Sequence, residues 1–173
     1  MALIVEDGTG LAAAESYISV TNADTYFANR GNTAWPLLTV PQKEQALRKA
    51  TDWIEGKYSD DWKGHRVQFV QALSWPRYGA KVNGYYLFSN YVPLQITYAC
   101  AELAVRASAI DLSTDFIGPV VFSEEIGPIK TTYATGATRG AEGARTKNEY
   151  EAIEDMLSSF IDGGGNMVKL VRG

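Results

Sequence analysis

The stretch Tyr-Val-Pro-Leu-Gln-Ile-Thr-Tyr-Ala-Cys-Ala-Glu-Leu-Ala-Val-Arg-Ala-Ser-Ala-Ile-Asp, residues 91–111, decides how the rest of the chain folds. Pro93 suits the first turn of a helix, where its missing N–H costs nothing and its fixed φ is already helical. Behind it, Ile96, Ala99, Cys100, Leu103, Ala107 and Ile110 recur at the spacing of a helical stripe. The other side carries Leu94, Tyr98, Ala101 and Val105, and Glu102 can pair with Arg106 one turn on. A helix apolar nearly all round is a central helix packed on several sides. The acid and base in mid-run, and an apolar length short of about 20 residues, exclude a membrane span.

The other elements are arranged around that helix. The 173 residues are enough for one domain that buries about two-thirds of its unfolded surface. A net charge of −4 gives no global attraction to nucleic acid or to an anionic membrane. The single cysteine, Cys100, excludes an internal disulfide and fits a buried small hydrophobe. The N-terminal Met-Ala-Leu-Ile-Val-Glu-Asp-Gly lacks the pattern of a signal peptide, so the chain is expected to be made and kept in a cytoplasm.

Residues 2–6 read as a short strand ended by Asp7-Gly8. Gly8-Thr9-Gly10-Leu11-Ala12-Ala13 matches a dinucleotide fingerprint, but that motif needs a full helix and then an acid-tipped strand. Ala12 to Ile18 is too short for that helix, so a glycine turn is expected. A first helix starts near Thr21, capped by its hydroxyl with Asp24 three residues on, buries Ala23, Tyr26 and Phe27, and stops at Gly31. A second opens with a Thr39–Gln42 capping box and Pro41, and carries the stripe Ala46, Leu47, Ala50, Trp53 and Ile54. Lys43, Glu44, Arg48, Lys49 and Asp52 are expected to face water, with Gly56 ending the helix.

Residues 57–92 are irregular, and a loop of that length is packed down by its own large side chains or is functional. Trp62, Trp75, Tyr85 and Tyr86 are candidates for the packing. The same stretch has a second reading: a stacking platform for single-stranded nucleic acid, with Lys63, Arg66, Arg77 and Lys81 on the phosphates and Asp60 and Asp61 opposing them. Val120 to Tyr133 alternates as a hairpin with Gly127-Pro128 between its strands, and residues 134–147 form a loop without a phosphate-binding motif. A last helix, boxed by Thr146 and Glu149, buries Tyr150, Ile153, Met156, Leu157, Phe160 and Ile161.

After Gly163-Gly164-Gly165, a β-prone tail alternates Val168, Leu170 and Arg172 with Met167, Lys169 and Val171. It reads either as a segment made to dock on another chain by strand addition or as a frayed terminus. The expected fold is mainly α: a bundle of about four helices around the central one, with a β-hairpin arm and an extended C-terminal tail. Its domain is residues 1–162, with the arm near 119–134 and the hinged tail at 163–173.

Catalysis finds little support. His65 has no second histidine or cysteine at ligand spacing, and Cys100 falls in the core. Asp60-Asp61 and Glu124-Glu125 point neighbouring side chains apart. No nucleophile-elbow or helical metal motif occurs. The residues predict no enzyme, no cofactor and no metal.

A set of short motifs runs along the chain at residues 5–10 (Val-Glu-Asp-Gly-Thr-Gly), 16–20 (Ser-Tyr-Ile-Ser-Val), 31–35 (Gly-Asn-Thr-Ala-Trp) and 46–54 (Ala-Leu-Arg-Lys-Ala-Thr-Asp-Trp-Ile). It continues at 62–64 (Trp-Lys-Gly), 71–77 (Gln-Ala-Leu-Ser-Trp-Pro-Arg), 102–104 (Glu-Leu-Ala), 124–129 (Glu-Glu-Ile-Gly-Pro-Ile) and the closing Val-Lys-Leu-Val-Arg-Gly. In these motifs the chain resembles a family of small adaptor, or head–tail connector, proteins of tailed bacteriophages, some of whose members carry the label of DnaT-like single-stranded-DNA-binding proteins. The resemblance runs nearly end to end. It implies a virion protein at the head–tail junction, made in the host bacterial cytoplasm and assembled as a ring with portal symmetry, a dodecamer. The portal protein would meet the tail, through Val168, Lys169, Leu170, Val171 and Arg172. A stopper or tail-completion protein would meet the opposite face. Duplex DNA would pass through the ring without sequence-specific binding, which a net-negative subunit favours. The alternative is a single-stranded-DNA-binding module of DnaT-like type.

Overall fold

The computed structural model describes residues 2–112, 123–126, 129–132 and 150–162. The chain divides into two compact units, residues 1–112 with 150–173 and residues 113–149. The first unit holds four α-helices: α1 (Val20–Ala28), α2 (Val40–Tyr58), α3 (Leu94–Ala109) and α4 (Glu151–Leu157). Helix α3 packs against the other three. Ile96, Ala99, Cys100 and Leu103 are buried as the stripe requires, and Ala101 and Ala104, off that stripe, are buried too. A helix enclosed on more than one side needs small residues where neighbours close in, and α2 does approach closely. The Thr51 hydroxyl lies 3.3 Å from the Cys100 sulfur, whose thiol burial pushes up in pKa. Glu102 and Arg106 pair at 3.4 Å. The stripe runs one turn short of its sequence length, because Ile110 lies past the last helical residue and is exposed.

Helix α1 starts earlier than its threonine suggests. Ser19 has the extended backbone of a cap and accepts from the Asn22 N–H at 3.1 Å, whereas Thr21 is already helical. The expected burial of Ala23, Tyr26 and Phe27 holds. In α2, Thr39 donates its N–H to Gln42 Oε1 at 2.9 Å, the reciprocal arm of the predicted box, and the stripe from Ala46 to Ile54 is buried. Gly56 does not end α2, which runs two residues further to Tyr58. Lys43 does not face water either: it is buried, and its Nζ lies 2.8 Å from Asp24 Oδ1, which also accepts from Trp35 Nε1 at 2.6 Å. The helical wheel of α2 carries no trace of that partner, because Asp24 belongs to α1.

Residues 2–6 form no strand beyond a single parallel bridge between Val5 and Ser16. Short antiparallel pairs fill the expected loop instead: β1 (His65–Arg66) with β2 (Arg77–Tyr78), and β3 (Lys81–Val82) with β4 (Tyr85–Tyr86). Helix α4 begins at Glu151 and tightens into a 3-10 turn over Ser158–Phe160, with Ile153, Leu157 and Phe160 buried. Its stripe is the expected one; the Thr146–Glu149 box lies outside the described residues.

In the second unit, β5 (Ser123–Ile126) pairs antiparallel with β6 (Ile129–Thr132), in register from Ser123↔Thr132 to Ile126↔Ile129. The fold is mainly α with a β-hairpin arm. The loop at 134–147, the glycine hinge and the tail with Val168 to Arg172 lie outside the described residues.

Candidate functional site

From Lys63 to Val92 the chain carries four cations, Lys63, Arg66, Arg77 and Lys81, and no acid. It also carries seven aromatic residues, the composition that suggested a stacking platform. Its geometry sorts these residues into a buried plug and an exposed rim.

The plug is Gln-Ala-Leu-Ser-Trp-Pro-Arg at 71–77. Trp75 is wholly buried, edge-on to Trp62 with centroids 5.9 Å apart and to Phe160 at 6.0 Å. Gln71 donates to the carbonyls of Leu73 (2.8 Å) and Pro76 (3.1 Å). Ser74 gives its N–H (3.0 Å) and its hydroxyl (2.7 Å) to Glu55 Oε2. The other Glu55 oxygen accepts from the Tyr17 hydroxyl, which in turn accepts from the Trp75 N–H at 3.2 Å. Burial, and then the Glu55 carboxylate, hold the Tyr17 pKa well above its usual value.

Arg77 is buried and spends its guanidinium on backbone carbonyls: Nε to Lys63 (2.9 Å), Nη1 to Ser74 (3.2 Å), and Nη2 to Trp62 (3.3 Å) and Gly64 (2.6 Å). Burial and the neighbouring Arg66 lower its pKa. Lys63 Nζ donates to the Ser159 carbonyl at 2.8 Å. Two of the four cations are therefore committed internally, and Arg66 sits 3.9 Å from Glu55. Trp62 and Trp75 offer no open ring face, so the structure does not assemble the platform as read from the sequence.

The Val-Glu-Asp-Gly-Thr-Gly turn is a second internal lock. The buried Glu6 carboxylate accepts from the N–H groups of Gly8, Gly10 and Leu11, each at 2.9 Å. Gly8 (φ +98) and Gly10 (φ +81) supply the left-handed backbone this needs, and a Cβ on Gly8 would strike the Asn90 carbonyl. This is an anion-binding nest of backbone N–H groups, filled by the chain's own carboxylate instead of a phosphate. Replacing Glu6 by alanine orphans those donors, and urea unfolding is expected to show a loss of about 1–3 kcal/mol. A loss under about 0.5 kcal/mol would mean that water replaces the carboxylate.

The rim is what remains open. Asn83 (φ 51) and Gly84 (φ 88) make the two-residue turn between β3 and β4, both in the left-handed region as a primed hairpin turn demands. Tyr85 and Tyr86 follow on opposite faces of β4. Both are exposed, at 78% and 72%, while Val82 and Leu87 beside them pack against the core. Phe88 (80%) and Phe69 (99%) are equally bare, and Tyr78 is half exposed beside His65, with ring centroids 5.4 Å apart. Lys81 Nζ stands 5.6 Å over the Tyr86 ring. Tyr85 and Tyr86, expected among the packing aromatics, are surface groups. The signal for the hairpin was in the sequence, since Asn-Gly between short β-prone pairs is a strong hairpin cue.

Among the described residues, no group of three or more His, Cys, Asp or Glu is placed to hold a metal ion, and no helix is long and apolar enough to cross a membrane. Comparison with curated proteins and with solved structures gives no match. Residues 1–173 match the family described as "Putative DnaT-like ssDNA binding protein", and the chain belongs to that family.

Proposed function

We propose that the chain is a non-catalytic structural subunit of a tailed-phage virion. In this reading it forms an adaptor ring at the head–tail junction, between the portal and a stopper or tail-completion protein, around the DNA channel. The observation that carries the reading is the aromatic rim of the β3–β4 hairpin. Tyr85, Tyr86 and Phe88 are exposed there, while two of the four cations around it, Lys63 and Arg77, are committed within the fold. Exposed apolar groups of this size call for a protein surface to cover them. Binding to nucleic acid calls instead for free cations, one for each phosphate neutralised. Among the described residues only Arg66 and Lys81 are exposed basic groups near the hairpin. The end-to-end resemblance to connector adaptors agrees with an assembly role.

The second reading, a single-stranded-DNA-binding module, is favoured by the family's description and by the Lys81–Tyr86 and His65–Tyr78 pairs. Bases stack on such rings at about 1–3 kcal/mol each. Two exposed cations give little phosphate binding to add to that.

Fluorescence anisotropy with labelled oligo-dT, beside electron microscopy of the protein mixed with portal, separates the two. The adaptor reading expects affinity for oligo-dT at physiological salt no tighter than the non-specific range, about 10⁻⁴–10⁻⁶ M, and rings on portal. Nanomolar binding that is lost on Tyr85→Ala and Lys81→Glu would establish the DNA-binding reading instead.

A further inference from the structure

We infer that Asn83-Gly84, the tip of the β3–β4 hairpin, is a self-modifying site, at which Asn83 is converted to aspartate and isoaspartate without an enzyme. The inference is independent of both functional readings, because it concerns the chemistry of the turn and needs no partner. Asn-Gly occurs once in the chain. The Gly84 nitrogen, deprotonated by hydroxide, attacks Asn83 Cγ. The new N–Cγ bond closes a cyclic imide, and the carboxamide nitrogen leaves as ammonia. Water then opens the imide at one carbonyl or the other, giving aspartate or isoaspartate. The net change is a water taken up and an ammonia lost.

The tip meets the conditions for this reaction. Both residues are exposed, so hydroxide and water reach them. Gly84 has no side chain to hinder its nitrogen, and nothing lies within 4 Å of where a Cβ would stand. Among the described residues, neither the Gly84 N–H nor the Asn83 carboxamide has a hydrogen-bond partner. Asp7-Gly8 is the contrast within the same chain. There the Gly8 N–H is held by Glu6 Oε1 at 2.9 Å, and Asp7 Oδ1 by the N–H and hydroxyl of Thr9 at 3.0 and 2.6 Å. The two groups that would have to meet are both tied down. At the hairpin tip, the left-handed backbone of Asn83 keeps Cβ on the far side of the Cα–C bond from the Gly84 nitrogen, so ring closure needs the turn to unwind. The base of the hairpin is fixed, with Val82 and Leu87 on the core and the Leu87 N–H on the Ala80 carbonyl at 2.9 Å. Beyond the Val82↔Tyr85 pair, no contact among the described residues restrains the tip, and it opens locally. Either product puts a carboxylate into a stretch, Lys63 to Val92, that has no acid. Isoaspartate also routes the main chain through the side chain and adds a methylene, so the tight turn no longer fits between Val82 and Tyr85.

The test ages the full chain at physiological temperature and mildly alkaline pH, beside a synthetic peptide of residues 79–88. Tryptic mapping by mass spectrometry scores conversion at each asparagine, and methyl transfer by an isoaspartyl methyltransferase scores isoaspartate. Asn83→Gly, which keeps a left-handed turn as Gly-Gly, is the unreactive control. Asn83 is expected to convert ahead of the exposed Asn22, Asn29 and Asn90. Its rate is expected to lie within about tenfold of the peptide's, since a loop tip opens at the low end of local stabilities. In the aged chain, hydrogen exchange at Val82 and Tyr85 is expected to rise. Asn83→Asp, which carries the charge without the added methylene, is expected to keep wild-type protection. Conversion of Asn83 no sooner than of Asn22, Asn29 and Asn90 overturns the inference. So does a rate more than about 100-fold below the peptide's, which would mean that the turn stays shut. Unchanged exchange in a chain that carries isoaspartate at position 83 overturns the account of its effect on the hairpin.

Discussion

Replacing Trp75 by alanine is expected to cost about 3–5 kcal/mol and to lower the melting temperature by about 6–20 °C. Trp75 is fully buried where α2's end, the loop from 67 to 76 and the 3-10 turn after α4 meet. Its ring contacts Trp62 and Phe160 edge-on, and its own N–H is the donor that fixes the Tyr17 hydroxyl against Glu55. Removing the indole opens a cavity between parts of the chain nearly a hundred residues apart, and Phe160 is held too tightly to collapse into it. The Lys63 N–H donates to the Phe160 carbonyl at 2.9 Å. The indole Nε1, by contrast, meets no acceptor among the described residues. Trp75→Phe therefore loses ring area but no hydrogen bond, and should lie closer to wild type than to the alanine variant. Urea unfolding of the three proteins checks this. An alanine variant within about 1 kcal/mol of wild type would show that the plug is not part of the cooperative core.

The case of Trp75 also shows what the sequence can and cannot reveal. Helices α2 and α3 were legible because burial there repeats with the helical period: Ala46, Leu47, Ala50, Trp53 and Ile54 on one, Ile96, Ala99, Cys100 and Leu103 on the other. The β5–β6 hairpin was legible through alternation. Between Lys57 and Val92 no period exists, so aromatic identity alone had to stand for burial. It gave one answer for four residues, whereas Trp62 and Trp75 are core and Tyr85 and Tyr86 are surface. The same blindness hid Lys43, whose charge predicts exposure until Asp24, on another helix, is placed 2.8 Å away. It hid the use of Arg77 as well. An arginine beside tryptophans reads as a phosphate ligand, and only the fold shows its donors turned onto four backbone carbonyls. Within this stretch the exposed residues are Lys81, Tyr85, Tyr86 and Phe88 rather than Trp62, Lys63 and Arg77, while the docking residues read from the sequence, Val168 to Arg172, lie outside the described residues.

On the adaptor reading, deleting residues 166–173 is expected to leave a folded subunit that no longer joins portal-containing heads. The fold survives because the last described residues are fixed upstream of the cut. Ile161 bridges Trp62 in an antiparallel pair, and the Asp162 N–H donates to the Asp61 carbonyl at 2.6 Å. The Phe160 plug is thus intact in the truncated chain, and its melt should match wild type within about 1 °C, far from the shift set by Trp75→Ala. On the adaptor reading, attachment would rest on burial of Val168, Leu170 and Val171, about 1.5–3 kcal/mol apiece when fully buried, with strand-addition hydrogen bonds at about 1 kcal/mol each and with Lys169 and Arg172 meeting acids on the portal. Leu170→Asp should then behave like the full deletion in co-sedimentation with portal, while circular dichroism stays unchanged. A truncated subunit that co-sediments like wild type would place the portal contact elsewhere. The exposed Tyr85, Tyr86 and Phe88 would be the next surface to test, with Tyr85→Ser/Tyr86→Ser/Phe88→Ser in the same co-sedimentation.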